Sequence, residues 1–294
     1  EKGSRALVLF LQDPALVALM LAAVLALVAF VTIRATWTPV APVRLGRRRS
    51  WGQILSASGS MYVRHPRVFL GIGLLLIPVG LVITLFQWLV FEGLGLVGVS
   101  STGEGAGSSA GLALVQAATA CALLDIDAGR RITAVSAYAE TFKRVRPLLR
   151  AMGLFVLVWV ALPTTTFLIP VAIWLAIRWC LLAPIVELEE GGGRDALRRS
   201  RALVRGRWWR TASLVGLSAA ISLGLGPLLG ALLIFVVDAP LATLNIVAGI
   251  VYAAALPFVG LVTAYVYFDP RTRDELEPVV DESALPAEIE LARG

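Results

Sequence analysis

The side chains that could carry chemistry in this chain are few and widely separated. It contains one histidine, His65, and two cysteines, Cys121 and Cys180. A structural zinc site needs about four ligands held together, and neither a second histidine nor a cysteine pair accompanies His65. The sequence has no GxxxxGK[ST] motif and no strand-to-helix GxGxxG motif, which argues against nucleotide hydrolysis. We therefore predict no catalytic residues, no metal, no cofactor and no enzymatic activity.

Two basic side chains are the remaining candidates. Arg178 lies inside an apolar run, where a charge is costly, so it either pairs or snorkels towards polar groups, or lines a cavity. His65 either belongs to a basic interfacial collar or senses protons. The glutamates within 187–190 precede the arginines within 194–201. These opposite charges predict a local ion-pair network, and the alternative is that they recruit a partner.

These candidates stand in a very apolar chain. Hydrophobic residues make up 58% of its 294 residues and charged residues 16%, with a mean hydropathy of +0.82. Soluble domains have about 25% charged residues. Apolar runs that could cross a membrane lie at 14–33, 68–91, 105–124, 211–237 and 239–268, and the run 147–186 predicts a hairpin divided at 163–170. We predict an all-α integral membrane protein with about seven transmembrane helices.

The basic residues predict the orientation. Blocks of Lys and Arg lie within 34–67, 130–150 and 194–210, whereas the connectors 92–104 and 238–240 have none. By the positive-inside rule the blocks are cytoplasmic, as is the C-terminus. This explains the net charge of +6 without a nucleic acid partner. The first apolar run either spans the membrane, which places the N-terminus outside, or is re-entrant.

The basic blocks share a pattern. The segments "SWGQILSASGSMYVRHP", "TAVSAYAETFKRVRP" and "RDALRRSRALVRGRWW" each combine helical apolar spacing with a Pro or Gly and precede an apolar run. We interpret them as three cytoplasmic interfacial amphipathic helices, or feet, in repeated foot-plus-hairpin units. In the middle copy, Val135, Tyr138, Phe142 and Val145 are expected to hold the foot in the interface, and Pro147 to turn the chain. Ordinary basic flanks of membrane helices are the alternative explanation.

This interpretation divides the chain into three parts. Residues 1–42 hold an N-terminal transmembrane helix and linker, and 43–268 form the polytopic domain of repeated units. Residues 269–294 form an acidic cytoplasmic tail that is expected to be disordered, because its composition is polar, acidic and contains proline.

Basic and aromatic residues at the feet form a predicted collar for anionic lipid head groups or for a protein partner. Each such charge near an anionic surface contributes about 1 kcal/mol. The collar consists of Trp51, Arg64, His65, Arg67, Lys143, Arg144, Arg146, Arg205, Arg207, Trp208 and Trp209.

Glycines repeated at intervals of four residues predict close helix contacts. Gly103, Gly107 and Gly111 form one such series, and Gly226 and Gly230 another. The spacing lets helix backbones approach each other in a membrane, either inside one bundle or between two copies in a homodimer.

Four stretches together resemble a known membrane domain: "WGQILSASGSMYVRHP", "DIDAGRRITAVSAYAETFKR", "LLAPIVELEEGGGRDALRRSRALVRGRWWR" and "AYVYFDPRTRDEL". The region 43–276 resembles the membrane domain of some glycerophosphodiester phosphodiesterases and of stand-alone bacterial membrane proteins. The resemblance implies a helical inner-membrane domain with interfacial helices. The family's phosphodiesterase activity belongs to a separate barrel domain, with histidine and acidic metal ligands, which this sequence lacks.

We therefore expect a multi-pass protein of the bacterial inner membrane that is not an enzyme. It is expected to act as an accessory or assembly protein that binds partners or anionic lipids through its feet. The alternative is a small transporter or lipid-moving protein with a cavity near Arg178, because repeated units and an intramembrane charge also suit transport.

Overall fold

The computed structural model describes residues 45, 49–93, 100–148, 150–151, 153, 169–189, 194–236 and 240–276. Its elements are helices, and no strand occurs within these ranges. The named helices are α1 (Trp51–Arg64), α2 (Pro66–Gly93), α3 (Ser100–Asp127), α4 (Ala134–Lys143), α5 (Ile169–Trp179), α6 (Leu182–Leu188), α7 (Arg194–Val204), α8 (Trp208–Val236) and α9 (Leu241–Leu276).

The short helices α1 and α4 begin at capping boxes. The Ser50 hydroxyl accepts from the Gln53 backbone N–H at 3.4 Å, and the Gln53 side chain accepts from the Ser50 N–H at 2.8 Å. Thr133 and Ser136 form the equivalent pair of bonds at 3.2 and 2.9 Å. Each box satisfies backbone N–H groups that have no partner within the helix, so the local sequence fixes both starts.

Each of α1, α4 and α7 is followed after a short break by another helical segment. His65 alone separates α1 from α2, because Pro66 disfavours helical geometry at the preceding residue. Gly206 lies between α7 and α8 at φ +77°, a conformation that glycine adopts without steric cost. After α4 the break falls at Arg144 rather than at Pro147, which lies inside the next helical turn. The predicted hinge at Pro147 is therefore misplaced, since proline is tolerated in the first turn of a helix.

The apolar faces of the short helices are largely covered by protein. Ile54 and Met61 of α1 are buried, as are Leu197 and Val204 of α7. These contacts bring the short helices onto the bundle, where burying an aliphatic side chain stabilises the fold by about 1.5–3 kcal/mol.

The middle foot, α4, differs from its prediction. Tyr138 is buried and its hydroxyl donates to the Ile72 carbonyl at 2.8 Å, whereas Val135 and Phe142 are 67% and 47% exposed. The predicted apolar set therefore lies on two faces, one against α2 and one open. Burial raises the pKa of the Tyr138 hydroxyl above its ordinary value, so it remains a neutral donor to the carbonyl.

Helix α9 lies at the centre of the packing and contacts α2, α3 and α8. Two glycines permit the close approaches. A Cβ on Gly73 of α2 would lie 2.2 Å from the Ala253 carbonyl oxygen, and one on Gly260 of α9 would lie 2.8 Å from the Thr119 Cβ. At Gly73 the α2 backbone therefore approaches the α9 backbone, and at Gly260 the Thr119 side chain of α3 packs against the α9 backbone.

Among the glycines that were predicted to lie at helix contacts, the structure describes the surroundings of Gly111. A Cβ on Gly111 of α3 would lie 3.1 Å from the Leu76 Cδ1 of α2, so this glycine is at a helix contact. Gly103 and Gly107 lie in α3 and Gly226 and Gly230 in α8, and their predicted helix contacts stay predictions.

Two helical stretches are long and apolar enough to cross a membrane. Pro170–Leu188, which combines α5 and α6, has a mean hydropathy of 1.9, and Ile246–Asp269 within α9 has one of 2.2. By length and composition they indicate membrane association. The other predicted crossings stay predictions.

The two ends of the chain differ in how far the structure covers them. Helix α9 continues past Phe268 to Leu276, so the first residues of the predicted tail are helical. Residues 277–294 and the predicted N-terminal region 1–42 lie outside the described ranges.

Candidate functional site

A buried polar group joins the start of the described chain to its last two helices. Asp269 of α9 is 5% exposed; its carboxylate accepts from the Arg49 backbone N–H and from Arg210 Nη2 of α8, each at 3.2 Å. Arg49 is 3% exposed, and its guanidinium lies 4.9 Å from the centre of the Tyr265 ring. Asp269 therefore ties three distant segments together, although the sequence had assigned it to a solvated tail.

A sequence signal for this group was available. Tyr265 and Asp269 are four residues apart, so they share one helix face, and the apolar pattern continues around them. An acidic residue on the buried face of an apolar helix needs a partner, which the basic segments supply.

A second polar group links α9 to α7 and to the acidic run. The Tyr267 hydroxyl donates to Glu189 Oε1 at 2.8 Å, and Arg199 forms an ion pair with Glu189 at 3.2 Å. The Arg144 guanidinium donates to the Glu187 backbone carbonyl at 3.0 Å. Glu189 thus takes part in a local ion pair, as one of the two interpretations predicted, while Glu190 lies outside the described residues.

The tryptophans of the predicted collar have distinct surroundings. The indole N–H of Trp51 donates to the Ser213 hydroxyl at 2.8 Å, and that of Trp208 donates to the Trp174 carbonyl at 3.3 Å. Trp209 is 81% exposed and packs edge-on against Trp208, with ring centres 4.7 Å apart. An exposed tryptophan beside a bonded one is the arrangement that interfacial aromatic residues favour, with an apolar ring and a polar tip.

Arg178 lies where α5, α7 and α8 meet. Its guanidinium is 4.3 Å from the centre of the Trp174 ring, and its backbone carbonyl accepts from the Ser200 hydroxyl at 2.9 Å. Arg201 and Arg205 follow Ser200 in the chain, so this bond brings their segment to the end of α5 where Arg178 lies. We call Arg178, Arg201 and Arg205 the arginine cluster.

Within the described residues, the arginine cluster has no carboxylate in an ion pair with it. Arg201 and Arg205 are exposed and Arg178 is partly exposed, so all three can reach solvent or a bound anion. Sequence reasoning identified Arg178 as an intramembrane charge and Arg205 as a collar residue but did not bring them together, because they lie in distant parts of the chain.

The remaining collar residues are spread over the surface. Lys143 forms an exposed ion pair with Glu140 at 2.7 Å, Arg146 is exposed and Arg207 is partly exposed. An exposed pair of this kind contributes less than about 1 kcal/mol.

Arg64, His65 and Arg67 surround a cavity of about 530 Å³ between the α1–α2 break and the start of α4. Arg178 does not line it. Its lining residues, none of them acidic, are Arg64, His65, Pro66, Arg67, Val68, Ile132, Thr133 and Ala134.

Clusters of three or more His, Cys, Asp or Glu residues that could hold a metal ion do not occur among the residues with described positions. Comparisons of the chain with protein-family models, curated proteins and solved structures found no match. The geometry of the chain's own residues therefore carries the functional argument.

Proposed function

We propose that this protein is a non-enzymatic, multi-pass protein of the bacterial inner membrane that binds anionic lipid head groups at its cytoplasmic side and serves there as an accessory or assembly protein. The proposal includes about seven transmembrane helices in three foot-plus-hairpin units. We also propose that residues 43–276 form a membrane domain of the kind found in glycerophosphodiester phosphodiesterases, which they resemble in sequence.

The arginine cluster is the observation that carries the proposal. Three positive charges that form no ion pair among the described residues repel one another, and an anion between them relieves that repulsion. Guanidiniums bind phosphate through paired N–H groups, which suits a lipid head group.

The tryptophans beside the cluster favour a membrane lipid over a soluble anion. Trp174 contacts Arg178, and Trp208 donates to the Trp174 carbonyl, so two indoles lie next to the charges. Tryptophan is enriched at the level of lipid head groups, where its ring is apolar and its N–H is satisfied. The cluster therefore combines the charge and the aromatic groups that an anionic membrane surface attracts.

The proposal predicts that Arg178→Gln, Arg201→Gln and Arg205→Gln together weaken retention of anionic lipid about 100-fold, since each charge contributes about 1 kcal/mol. Native mass spectrometry of the full chain, exchanged with phosphatidylglycerol in detergent, measures the bound lipid.

A matched control removes the same charge elsewhere. Arg131, Arg150 and Arg194 are exposed and lie outside both the cluster and the predicted collar, so their joint replacement with glutamine should change retention less than about threefold. Equal losses in both triple variants would contradict a site at the cluster. Retention of a stoichiometric protein in place of lipid would also overturn the proposal and favour a partner-binding role.

A further inference from the structure

We propose that the cavity beside Arg64, His65 and Arg67 is a second anion site, which takes the phosphate group of a phosphate-bearing ligand. When that phosphate belongs to a membrane lipid, this second site rests on the proposed lipid-binding function and extends it. The source is either a lipid head group or a soluble phosphate ester, and both share the chemistry that the cavity offers.

The charge around the cavity is of one sign. Arg64 and Arg67 line it, and no lining residue is acidic. Neither arginine forms an ion pair within the described ranges. Two guanidiniums separated by one turn at a helix break can donate to one phosphate from two directions, and such charge-assisted bonds are the stronger kind.

His65 adds a donor that the folded chain does not use. It lines the cavity, and its Nδ1 is buried and has no hydrogen-bond partner in the structure. A buried polar atom left without a partner costs about 1–3 kcal/mol. A ligand oxygen that reaches Nδ1 and accepts from it would remove that cost.

Two helices begin at the same cavity. Pro66 starts α2 and Ala134 starts α4, and both are lining residues. Thr133 caps the Ser136 N–H, which leaves the N–H groups of Ala134 and Val135 without an acceptor inside the helix. Helix starts carry a partial positive charge and bind phosphate through such groups, so the start of α4 reinforces the arginines. At the start of α2 the Val68 N–H already donates to the His65 carbonyl at 3.1 Å.

The rest of the lining is apolar and the volume exceeds that of a phosphate ion. Val68, Ile132 and Ala134 form apolar walls, and about 530 Å³ is within the range of small-molecule sites. This space accommodates the glycerol portion of the ligand beside its phosphate.

The test measures binding of two probes to the full chain in detergent by isothermal titration calorimetry. Dioctanoyl phosphatidylglycerol represents the lipid source and glycerol 3-phosphate the soluble source. We expect the double variant Arg64→Gln, Arg67→Gln to weaken binding of the preferred probe at least about 30-fold, because each substitution removes a charge-assisted hydrogen bond to the phosphate. Binding of the lipid probe alone identifies a membrane ligand, and binding of both probes identifies the phosphate ester as the recognised group.

Substitutions of His65 separate a binding role from a structural one. His65→Asn keeps a donor near the position of Nδ1 and should retain binding within about threefold, whereas His65→Leu should weaken it about tenfold. The arginine-cluster variant should retain this site, so loss of one site without the other distinguishes the two proposals. The inference is overturned if neither probe binds, or if the Arg64 and Arg67 substitutions leave binding unchanged in a variant that keeps its helical circular dichroism.

Discussion

Gly73→Ala is expected to destabilise the folded protein by about 3 kcal/mol, which is the upper range for overpacking a tightly packed site. The added Cβ would lie 2.2 Å from the carbonyl oxygen of Ala253 and 3.0 Å from its carbonyl carbon. Both are backbone atoms of α9, so no side-chain rotation can relieve the contact. The helices α2 and α9 must separate, and the packing around them is lost. The midpoint of thermal unfolding in detergent, followed by circular dichroism, measures the effect.

Two other glycines of the same helices serve as controls. A Cβ on Gly80 of α2 or on Gly249 of α9 would have no atom within 4 Å. Their replacement with alanine should be neutral or stabilising, by up to about 1 kcal/mol, because alanine loses less backbone entropy in a helix. If Gly73→Ala unfolds at the same temperature as these controls, α2 and α9 do not approach as closely as described.

Asp269→Ala is expected to lower the free energy of unfolding by about 3–5 kcal/mol, the range for removing one partner of a buried ion pair. The carboxylate accepts from the Arg49 N–H and pairs with Arg210, and Arg49 itself is almost fully buried. Without Asp269 the two arginines remain beside each other with less negative charge to balance them. The unfolding midpoint in detergent should fall more than for any surface carboxylate.

Asp125→Ala is the matched control, because Asp125 pairs with Arg130, whose side chain is 66% exposed. That change should cost less than about 1 kcal/mol. The loss of stability in Asp269→Asn should lie between those of Asp269→Ala and Asp125→Ala. The amide oxygen can still accept from the Arg49 N–H, but it carries no charge. Equal stability of Asp269→Ala and Asp125→Ala would show that Asp269 does not join the three segments.

Features set by neighbouring residues could be predicted from the sequence. The breaks at Pro66 and Gly206 follow from the backbone limits of proline and the freedom of glycine, and the helical character follows from apolar spacing. The break after α4 was misplaced, because Pro147 is compatible with the first turn of a helix and so does not mark the turn by itself.

Features set by packing between distant segments could not be predicted. Arg49 and Asp269 are 220 residues apart, and one sequence does not show which arginine meets which carboxylate. Gly73 and Gly260 belong to none of the predicted glycine series, so their close contacts had no signal in the spacing. Arg178 was identified as a charge in an apolar run, but that Arg201 and Arg205 lie beside it depends on how α7 packs against α5.

The central claim is that the arginine cluster binds an anionic lipid head group at a membrane surface. An electron cryomicroscopy map of the full chain in nanodiscs that contain phosphatidylglycerol tests it most directly. We predict density for a phosphate group in contact with Arg178, Arg201 and Arg205, at the head-group level and beside Trp174. Density for a second protein chain at the cluster, or a cluster that lies away from the membrane surface with no lipid bound, would contradict the claim.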